Sequence, residues 1–463
     1  MPERPGSASS GSRGKGDQMK RRRRNRLVAG ILVGLSAVFI LSLALAARTL
    51  YVAKSGSDAL DGSLDRPWQT IQHAIQQALP SDTILVAGGI YNEHIQSVRN
   101  GQEGAPIVLA NLNQDTVVID GTLVDWSTGI SLSHDFIQLE GIEVRNWSST
   151  GIWLDGAGHV TLRDCVVYDC VFGIGAGNGA HDFLLERVEI HDFDLYGFDA
   201  SPSGGGDCYN GTFVDCIAHS SRDKEQNVDG FALGHGGQRG FRFLRCETYG
   251  VFDGFDISAQ GTVLEDCTSH ENANAGFKIW ADDVSLVNCL AFANGICHVE
   301  LDWDGEPGTT TLRHCTFVDA SVYSIWIENS EDRLDMVNCI VAGGDNIGLA
   351  FEQLSSSNYS GDFNLFHNDN AERAISVGYV DEFSLSDLRS GSWSHYSGQD
   401  AHSVFVADMS TIFRAPDAFD YRLAAGSPAI DAGLDRLAPE TDIRGASRHL
   451  GAATDIGAFE FGD

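Results

Sequence analysis

The sequence predicts an all-β protein, a right-handed parallel β-helix, for the part of the chain that follows residue 48. Two short motifs alternate along it, one beginning with glycine and one ending in cysteine, and both recur at nearly constant spacing. No helical period lies between them. Units this short cannot bury an apolar core alone, so they are expected to stack into a solenoid.

The glycine motif predicts one strand of each turn, in which inward apolar and outward polar side chains alternate. Its clear copies begin at six glycines, Gly151, Gly173, Gly197, Gly230, Gly254 and Gly276, and degenerate copies follow near residues 299, 325 and 348.

The cysteine motif predicts a second strand type. Most copies lie 21 to 26 residues apart, and they end at Cys165, Cys216, Cys246, Cys267, Cys289, Cys315 and Cys339. Because these residues share one repeat position, we expect a buried column of free thiols about 4.8 Å apart rather than disulfides. Cys170, Cys208 and Cys297 lie off this column, and no Cys-x-x-Cys pair indicates a metal site.

The N-terminus reads as a targeting segment. Residues 1–26 hold nine Lys and Arg against Glu3 and Asp17, and residues 27–46 carry no charge. A run of about 20 apolar residues can span a bilayer with its basic flank in the cytoplasm, although residues 44–46 also offer a signal-peptidase site. With either a signal anchor or a cleaved signal peptide, we expect the rest of the chain to be extracellular or at the cell surface.

Three further segments are predicted after the export signal: residues 48–125 with the N-terminal cap and first turns, 126–350 with the central β-helix, and 351–463 with the last turns and a closing module. Residues 68–79 read as an amphipathic helix that would cover the open strand edges. Residues 51–93, 398–403 and 421–460 resemble the terminal modules of many secreted β-helix proteins.

The charge of the chain limits its partners. The formal net charge is -33, in spite of the basic N-terminus, which argues against a nucleic-acid partner. We expect a monomer.

The candidate site lies on the glycine-motif strands between residues 227 and 304. When three consecutive turns are aligned on their glycines, Asp229 and Asp253 share one position, and Asp256 and Lys278 share another. Stacking in register brings the three carboxylates and the amine within about two rungs, ~10 Å. Stacked like charges repel, and Ca²⁺ is the hard cation that such an irregular set of oxygens suits best.

The same residues resemble the core of the family 9 polysaccharide lyases, the pectate lyase L type. The resemblance covers residues 227–232, 253–256, 276–279 and 288–294. It implies that Asp229, Asp253 and Asp256 bind catalytic Ca²⁺ and that Lys278 is the base. One departure is Phe252, where the family usually has a first aspartate, and a lysine common after the Asn-x-Asp-Gly-Phe run is replaced here by residues 233–235.

The resemblance implies β-elimination on an acidic polysaccharide. Lys278 would remove the C5 proton of a uronic acid and the C4 oxygen would leave, while Ca²⁺ stabilises the developing negative charge. A cation beside the amine favours its neutral form, so the base is expected to depend on the metal.

Other interpretations stay open. Trp280, Glu300 and Trp303 could contact sugar or serve only in packing and on the surface. His235 is expected to be a loop residue rather than a ligand. The chain could also be a non-catalytic, adhesin-like β-helix that binds glycan, or a uronate C5-epimerase that returns the proton to the opposite face.

Overall fold

The computed structural model describes residues 47–200, 206–224, 226–301, 308–344, 347–355, 357–370, 372–448 and 450–462. It is a right-handed parallel β-helix of about 11 turns, which confirms the predicted fold class. The basic tail and apolar segment predicted in residues 1–46 lie outside the described residues. Within the described ranges, no helix has the length and apolar character needed to cross a membrane.

Each complete turn contributes one strand to each of three parallel sheets, and incomplete turns at the ends add further strands. The first sheet has 13 strands: Thr49–Val52, Thr83–Val86, Ile107–Asn111, Ile137–Glu140, Thr161–Arg163, Leu184–Glu186, Thr212–Val214, Arg242–Leu244, Val263–Glu265, Val284–Val287, Thr309–Arg313, Arg333–Val337 and Tyr359–Asp362. Each cysteine motif begins in a strand of this sheet, and its cysteine lies at the corner that follows the strand.

Two long strands, Ile142–Asp155 and Val166–Gly177, pass through a bend and belong to both of the other sheets. The remaining strands of the second sheet are Gly89–Tyr91, Val117–Asp120, Glu189–His191, Ile217–His219, Glu247–Tyr249, Thr268–His270, Leu290–Phe292, Thr316–Val318, Ile340–Ala342, Leu365–Phe366 and Val404–Phe405. The remaining strands of the third, which we call the groove sheet, are Ile95–Gln96, Ile130–Leu132, Tyr196–Ala200, Asp229–Leu233, Phe255–Ile257, Ala275–Ile279, Cys297–Leu301, Tyr323–Ile327, Ile347–Phe351 and Ile375–Val377.

Stacked phenylalanines fix the direction of the side chains in the groove sheet. Phe231, Phe255 and Phe277 are in register on three successive turns and are fully buried. Their ring centroids are 5.4 and 5.1 Å apart with nearly parallel planes. Because side chains alternate along a strand, the residue that follows each phenylalanine points outward.

The cysteine column is present as predicted. All ten cysteines are free and buried. In each of the seven column members, the thiol lies 3.3 to 3.6 Å from the carbonyl oxygen two residues earlier, so it points inward. Val188 takes the column position on the turn between Cys165 and Cys216. Burial raises the pKa of the Cys165 thiol to about 11, so this thiol is protonated at neutral pH.

The helix near the N-terminal end is shorter than the predicted residues 68–79. Helix α1 spans Ile71–Gln77, with the Thr70 side chain accepting a hydrogen bond from the backbone of the first turn. Glu93 accepts hydrogen bonds from the amides of Ile71 and Gln72 at 3.0 and 2.9 Å. The helix ends ahead of Leu79, because a residue that precedes proline disfavours helical torsions.

The last residues of the chain cover one end and one side of the solenoid. Helices α2 (Leu385–Ser390) and α3 (Ser392–Ser397) bring Trp393 against Phe351 and Tyr359 at the final turns. Two antiparallel pairings flank this region, Asp381–Phe383 with Ile375–Val377 and Phe413–Ala415 with Asp420–Leu423. Short 3₁₀ helices complete the described structure at Gly121–Leu123, Met409–Thr411, Pro416–Ala418 and Asp435–Leu437.

The segment after residue 404 lies along the outer face of the second sheet. Its apolar residues form a second cluster with outward residues of the second sheet, including Val318 and Ile340. Asn288 donates to the Thr441 carbonyl at 2.8 Å, and Thr316 accepts from the Ala458 amide at 2.8 Å. The later strands of the second sheet, from Leu290–Phe292 onward, are therefore covered from outside, and the groove sheet keeps its outer face open.

Candidate active site

The groove sheet brings the predicted site residues together on adjacent rungs. Its outward ladder runs through Ala232, Asp256, Lys278, Glu300 and Trp326, each directly paired with the next. The register of Phe231 with Phe255 also places the start of the Asp229–Leu233 strand alongside Asp253. The alignment on glycines therefore predicts the actual stacking.

Three carboxylates form a cluster in this wall. Asp229, Asp253 and Asp256 each present an oxygen atom, and these atoms lie within 4.8 Å of one another. Asp253 is fully buried, and its Oδ1 accepts hydrogen bonds from Asn274 Nδ2 at 2.7 Å and from the Ala275 amide at 2.9 Å. These donors hold one side of the Asp253 carboxylate in place.

Asp229 is the member of the cluster whose carboxylate accepts no hydrogen bond from the described residues. Its side chain is 1% exposed, and neither carboxylate oxygen has a hydrogen-bond partner in the part of the chain that the structure describes. Burial, followed by the negative charges of Asp256 and Asp253, holds the pKa of Asp229 well above its usual range. A buried polar group without hydrogen bonds is costly, and such groups often mark a binding site.

Lys278 lies beside the carboxylate cluster. Its Nζ is 3.9 Å from Asp253 Oδ2 and 4.7 Å from the centroid of the Trp280 ring. The side chain is 14% exposed, and its neighbours on the outward ladder are Asp256 and Glu300. The amine is thus held at the wall of the groove between carboxylates and an aromatic face.

An open groove of about 640 Å³ runs over these residues. Its lining includes Asp229, Asp256, Lys278 and Trp280 from the predicted site, together with Tyr196, Asp199 and His235. His235 follows a groove strand and packs edge-on against Trp280 at 5.4 Å, so it is a loop residue, as predicted, and also part of the groove wall.

Asp199 is a groove carboxylate that the sequence interpretation did not select. It pairs with Ala232 in the outward ladder, one rung beyond the Asp229 strand. Burial raises its pKa to about 6. The sequence does contain a signal for this groove position, because residues 197–199 repeat the Gly-Phe-Asp pattern of residues 254–256.

The predicted substrate contacts have different positions. Trp280 lines the groove, while Glu300 is 6% exposed and pairs with Lys278 on the next rung. Trp303 lies outside the described residues. Phe252, the departure from the family pattern, is partly buried and packs against the core, so it offers no ligand.

Sequence comparisons agree with this architecture. Residues 50–260 match the family described as Pel9A-like, right handed beta helix region, and residues 226–370 match the family described as Right handed beta helix region. The chain is 26% identical over 271 residues to pectate lyase PEL9 of Emericella nidulans, covering 57% of this chain and 60% of that protein. It is 26% identical over 316 residues to pectate lyase L of Paenibacillus polymyxa, covering 60% and 64%. The chain spans less than two thirds of the length of the curated relatives it matches.

A structural comparison covers more of the chain. The crystal structure of pectate lyase Pel9A superposes with a TM-score of 0.58 at 18% identity, covering 90% of this chain and 96% of that chain. At 18% identity, this structural similarity establishes the fold alone. The protein is therefore a right-handed parallel β-helix of the polysaccharide lyase-like class, with an acidic groove on one sheet. The family match and the pectate lyase relatives confirm the resemblance to family 9 pectate lyases that the groove strands carry.

Proposed function

We propose that the protein is a calcium-dependent polysaccharide lyase that cleaves a uronic-acid polymer by β-elimination. The observation that carries this proposal is Asp229, a buried carboxylate that accepts no hydrogen bond within the described residues and sits in a cluster of three carboxylates. Its position at the groove makes this unmet bonding capacity available to a cation and a substrate.

The chemistry of the three carboxylates fits Ca²⁺. This cation takes six to eight oxygen ligands and tolerates irregular geometry, and Asp229, Asp253 and Asp256 would supply part of that set. Because Phe252 supplies none, water and the carboxylates of the substrate would complete it. When bound, Ca²⁺ would supply electrostatic stabilisation of the negative charge that develops next to a uronate carboxylate.

We assign the base to Lys278. Its neutral amine would take the proton from C5 of the uronic acid, so that the C5–H electron pair forms the C4=C5 double bond. The bond between C4 and the glycosidic oxygen then breaks, and the released sugar end keeps that oxygen with the bonding electrons and takes a proton from water. Contact with the Trp280 ring and the nearby Asp253 hold the amine at the groove wall, where a sugar ring would lie.

We propose that substrate recognition depends on Trp280 and on the carboxylates of the groove. The indole of Trp280 offers an apolar face to a sugar ring. Glu300 would act mainly on Lys278, because it is nearly buried and is paired with that residue. Because the groove carries several carboxylates, an acidic polymer would bind there only with the help of a bound cation. This dependence on a cation is expected for pectate-like substrates.

The proposed location is extracellular or at the cell surface. The basic cluster at residues 20–26 and the uncharged residues 27–46 support export through a signal anchor or signal peptide. A β-helix with its open groove facing outside the cell could then reach a large polysaccharide.

The test is an ultraviolet assay for unsaturated sugar ends with pectate, alginate and other uronans, in the presence of Ca²⁺ and of a chelator. We expect activity on at least one uronan with Ca²⁺ and none with chelator. Lys278→Ala should lose nearly all turnover and keep its Ca²⁺ affinity. Lys54→Ala is the matched control, since Lys54 stacks on Tyr91 near the N-terminal end of the solenoid.

Near-parental turnover by Lys278→Ala would disprove the assignment of the base. A product with inverted C5 and no unsaturated end would identify an epimerase. Binding of uronans without any chemical change would favour the glycan-binding interpretation.

A further inference from the structure

A second group of metal-ligating side chains lies outside the groove, at the corner between the groove sheet and the first sheet. Atoms of His159, His181 and Asp182 that could bind a metal lie within 4.8 Å of one another. His181 lies on the same turn as Gly175. In the outward ladder, Gly175 is three rungs from Asp256, so the two turns are about 14 Å apart along the solenoid axis. The group is therefore separate from the proposed calcium site.

Stacking of equivalent corners brings these residues together. His159 and Asp182 occupy the same corner position on two successive turns, both with left-handed backbone torsions, φ of 56° and 51°. His181 pairs with Gly158 on the neighbouring turn. A Cβ atom at residue 158 would lie 2.7 Å from His181 Nε2, so glycine leaves the space that this imidazole occupies.

The surroundings of His181 prepare it for metal binding. Its Nδ1 lies 3.0 Å from the carbonyl oxygen of Gly179. A carbonyl can only accept, so Nδ1 carries the proton and Nε2 keeps its lone pair. Metal-binding histidines usually donate their other ring N–H to a carbonyl or carboxylate in this way.

The carboxylate of Asp182 is also supported from outside the group. Asn210 Nδ2 donates to its Oδ1 at 2.9 Å. Tyr209 stacks on His181 with ring centroids 4.9 Å apart, and Phe136 stacks on His159 at 4.6 Å. The half-buried His181 is thus held between neighbours, while His159 is exposed and can turn.

We propose that His159, His181 and Asp182 bind a divalent transition-metal ion of the Zn²⁺ type and join two successive turns of the solenoid. Two imidazoles and one carboxylate are a ligand set that favours Zn²⁺, Ni²⁺ or Cu²⁺ over Ca²⁺. Ligand atoms at about 2.1 Å from one ion are at most about 4.2 Å apart, and the exposed His159 can turn to meet that limit. Water completes the coordination.

The experiment uses the untagged full-length chain, which is stripped of metal with a chelator and then kept in excess Ca²⁺. The groove carboxylates then do not contribute to the measured Zn²⁺ binding. Zn²⁺ binding is measured by calorimetry, and Co²⁺ binding by its visible absorption. We expect one Zn²⁺ per chain, visible bands typical of nitrogen and oxygen ligands, and a higher midpoint of thermal unfolding with Zn²⁺.

Two conservative variants test the ligands. His159→Asn and Asp182→Asn both place asparagine where the backbone is left-handed, a conformation that asparagine tolerates, so both should fold. Each should weaken Zn²⁺ binding at least tenfold and remove the Zn²⁺-dependent rise in the midpoint. The matched control is His395→Asn, a change at an exposed histidine of α3, which should leave Zn²⁺ affinity unchanged.

The proposal is wrong if the parent chain binds no Zn²⁺ under these conditions. It is equally wrong if both variants bind Zn²⁺ with parental affinity, since the metal would then sit elsewhere. Uronan cleavage is not a readout here, so a failure of the proposed lyase activity leaves this test intact.

Discussion

Replacement of His298 tests how the buried interior behind the groove responds to acid. His298 lies in the Cys297–Leu301 strand, is fully buried, and its Nδ1 accepts a hydrogen bond from Asn294 Nδ2 at 3.1 Å. Burial lowers the pKa of His298 to about 3. The imidazole is therefore neutral in the folded protein over the whole physiological range.

The sign of the effect follows from the lowered pKa. An unfolded histidine has a pKa of about 6.5, so between about pH 6.5 and pH 3 the unfolded chain binds a proton that folded His298 does not. Stability from the neutral imidazole is present above about pH 6.5 and decreases as the pH falls. Between pH 7 and pH 5 the loss amounts to about 2 kcal/mol, because each pH unit below the unfolded pKa contributes about 1.4 kcal/mol.

The assay is urea unfolding of the parent chain and of His298→Gln, followed by tryptophan fluorescence at pH 7 and pH 5. Glutamine cannot titrate, so the loss of stability between the two pH values should be about 2 kcal/mol smaller in the variant. His395→Asn, at an exposed position, should keep the parental pH dependence. Equal losses in the parent and in His298→Gln would refute the claim that a buried neutral imidazole makes the groove sheet acid-sensitive.

Two other predictions concern the carboxylate cluster and the cysteine column. Asp229→Asn replaces a buried carboxyl group whose ionised form is disfavoured by burial and by the neighbouring carboxylates. The change should therefore abolish the rise in thermal midpoint that Ca²⁺ produces and should stabilise the metal-free protein by about 1–3 kcal/mol, as measured by calorimetry with and without Ca²⁺. Unchanged Ca²⁺ binding would contradict the proposed site. The column thiols at Cys216, Cys246, Cys267, Cys289 and Cys315 should react with thiol reagents only after denaturation, because all are buried. Bridged peptides found among them by mass spectrometry of unreduced protein would contradict the column of free thiols.

The repeat pattern of this chain determines its architecture without further information. Glycine and cysteine motifs recur on alternate strands, and strand periodicity makes the residue after each inward phenylalanine point outward. Aligning residues 254–256 with 276–278 on their glycines is therefore enough to place Asp256 beside Lys278, as the structure does. Local patterns succeed here because each turn of a solenoid packs chiefly on its immediate neighbours.

Only the tertiary structure decided which polar residues are buried and which faces are covered. Aspartate usually lies on the surface, yet Asp229 is buried and Asp199 is half-buried in the groove wall, because of how neighbouring turns pack around them. The C-terminal segment covers the later strands of the second sheet through contacts more than a hundred residues apart in sequence, such as Thr316 with Ala458. No periodic pattern encodes such contacts, because they depend on the path of irregular chain.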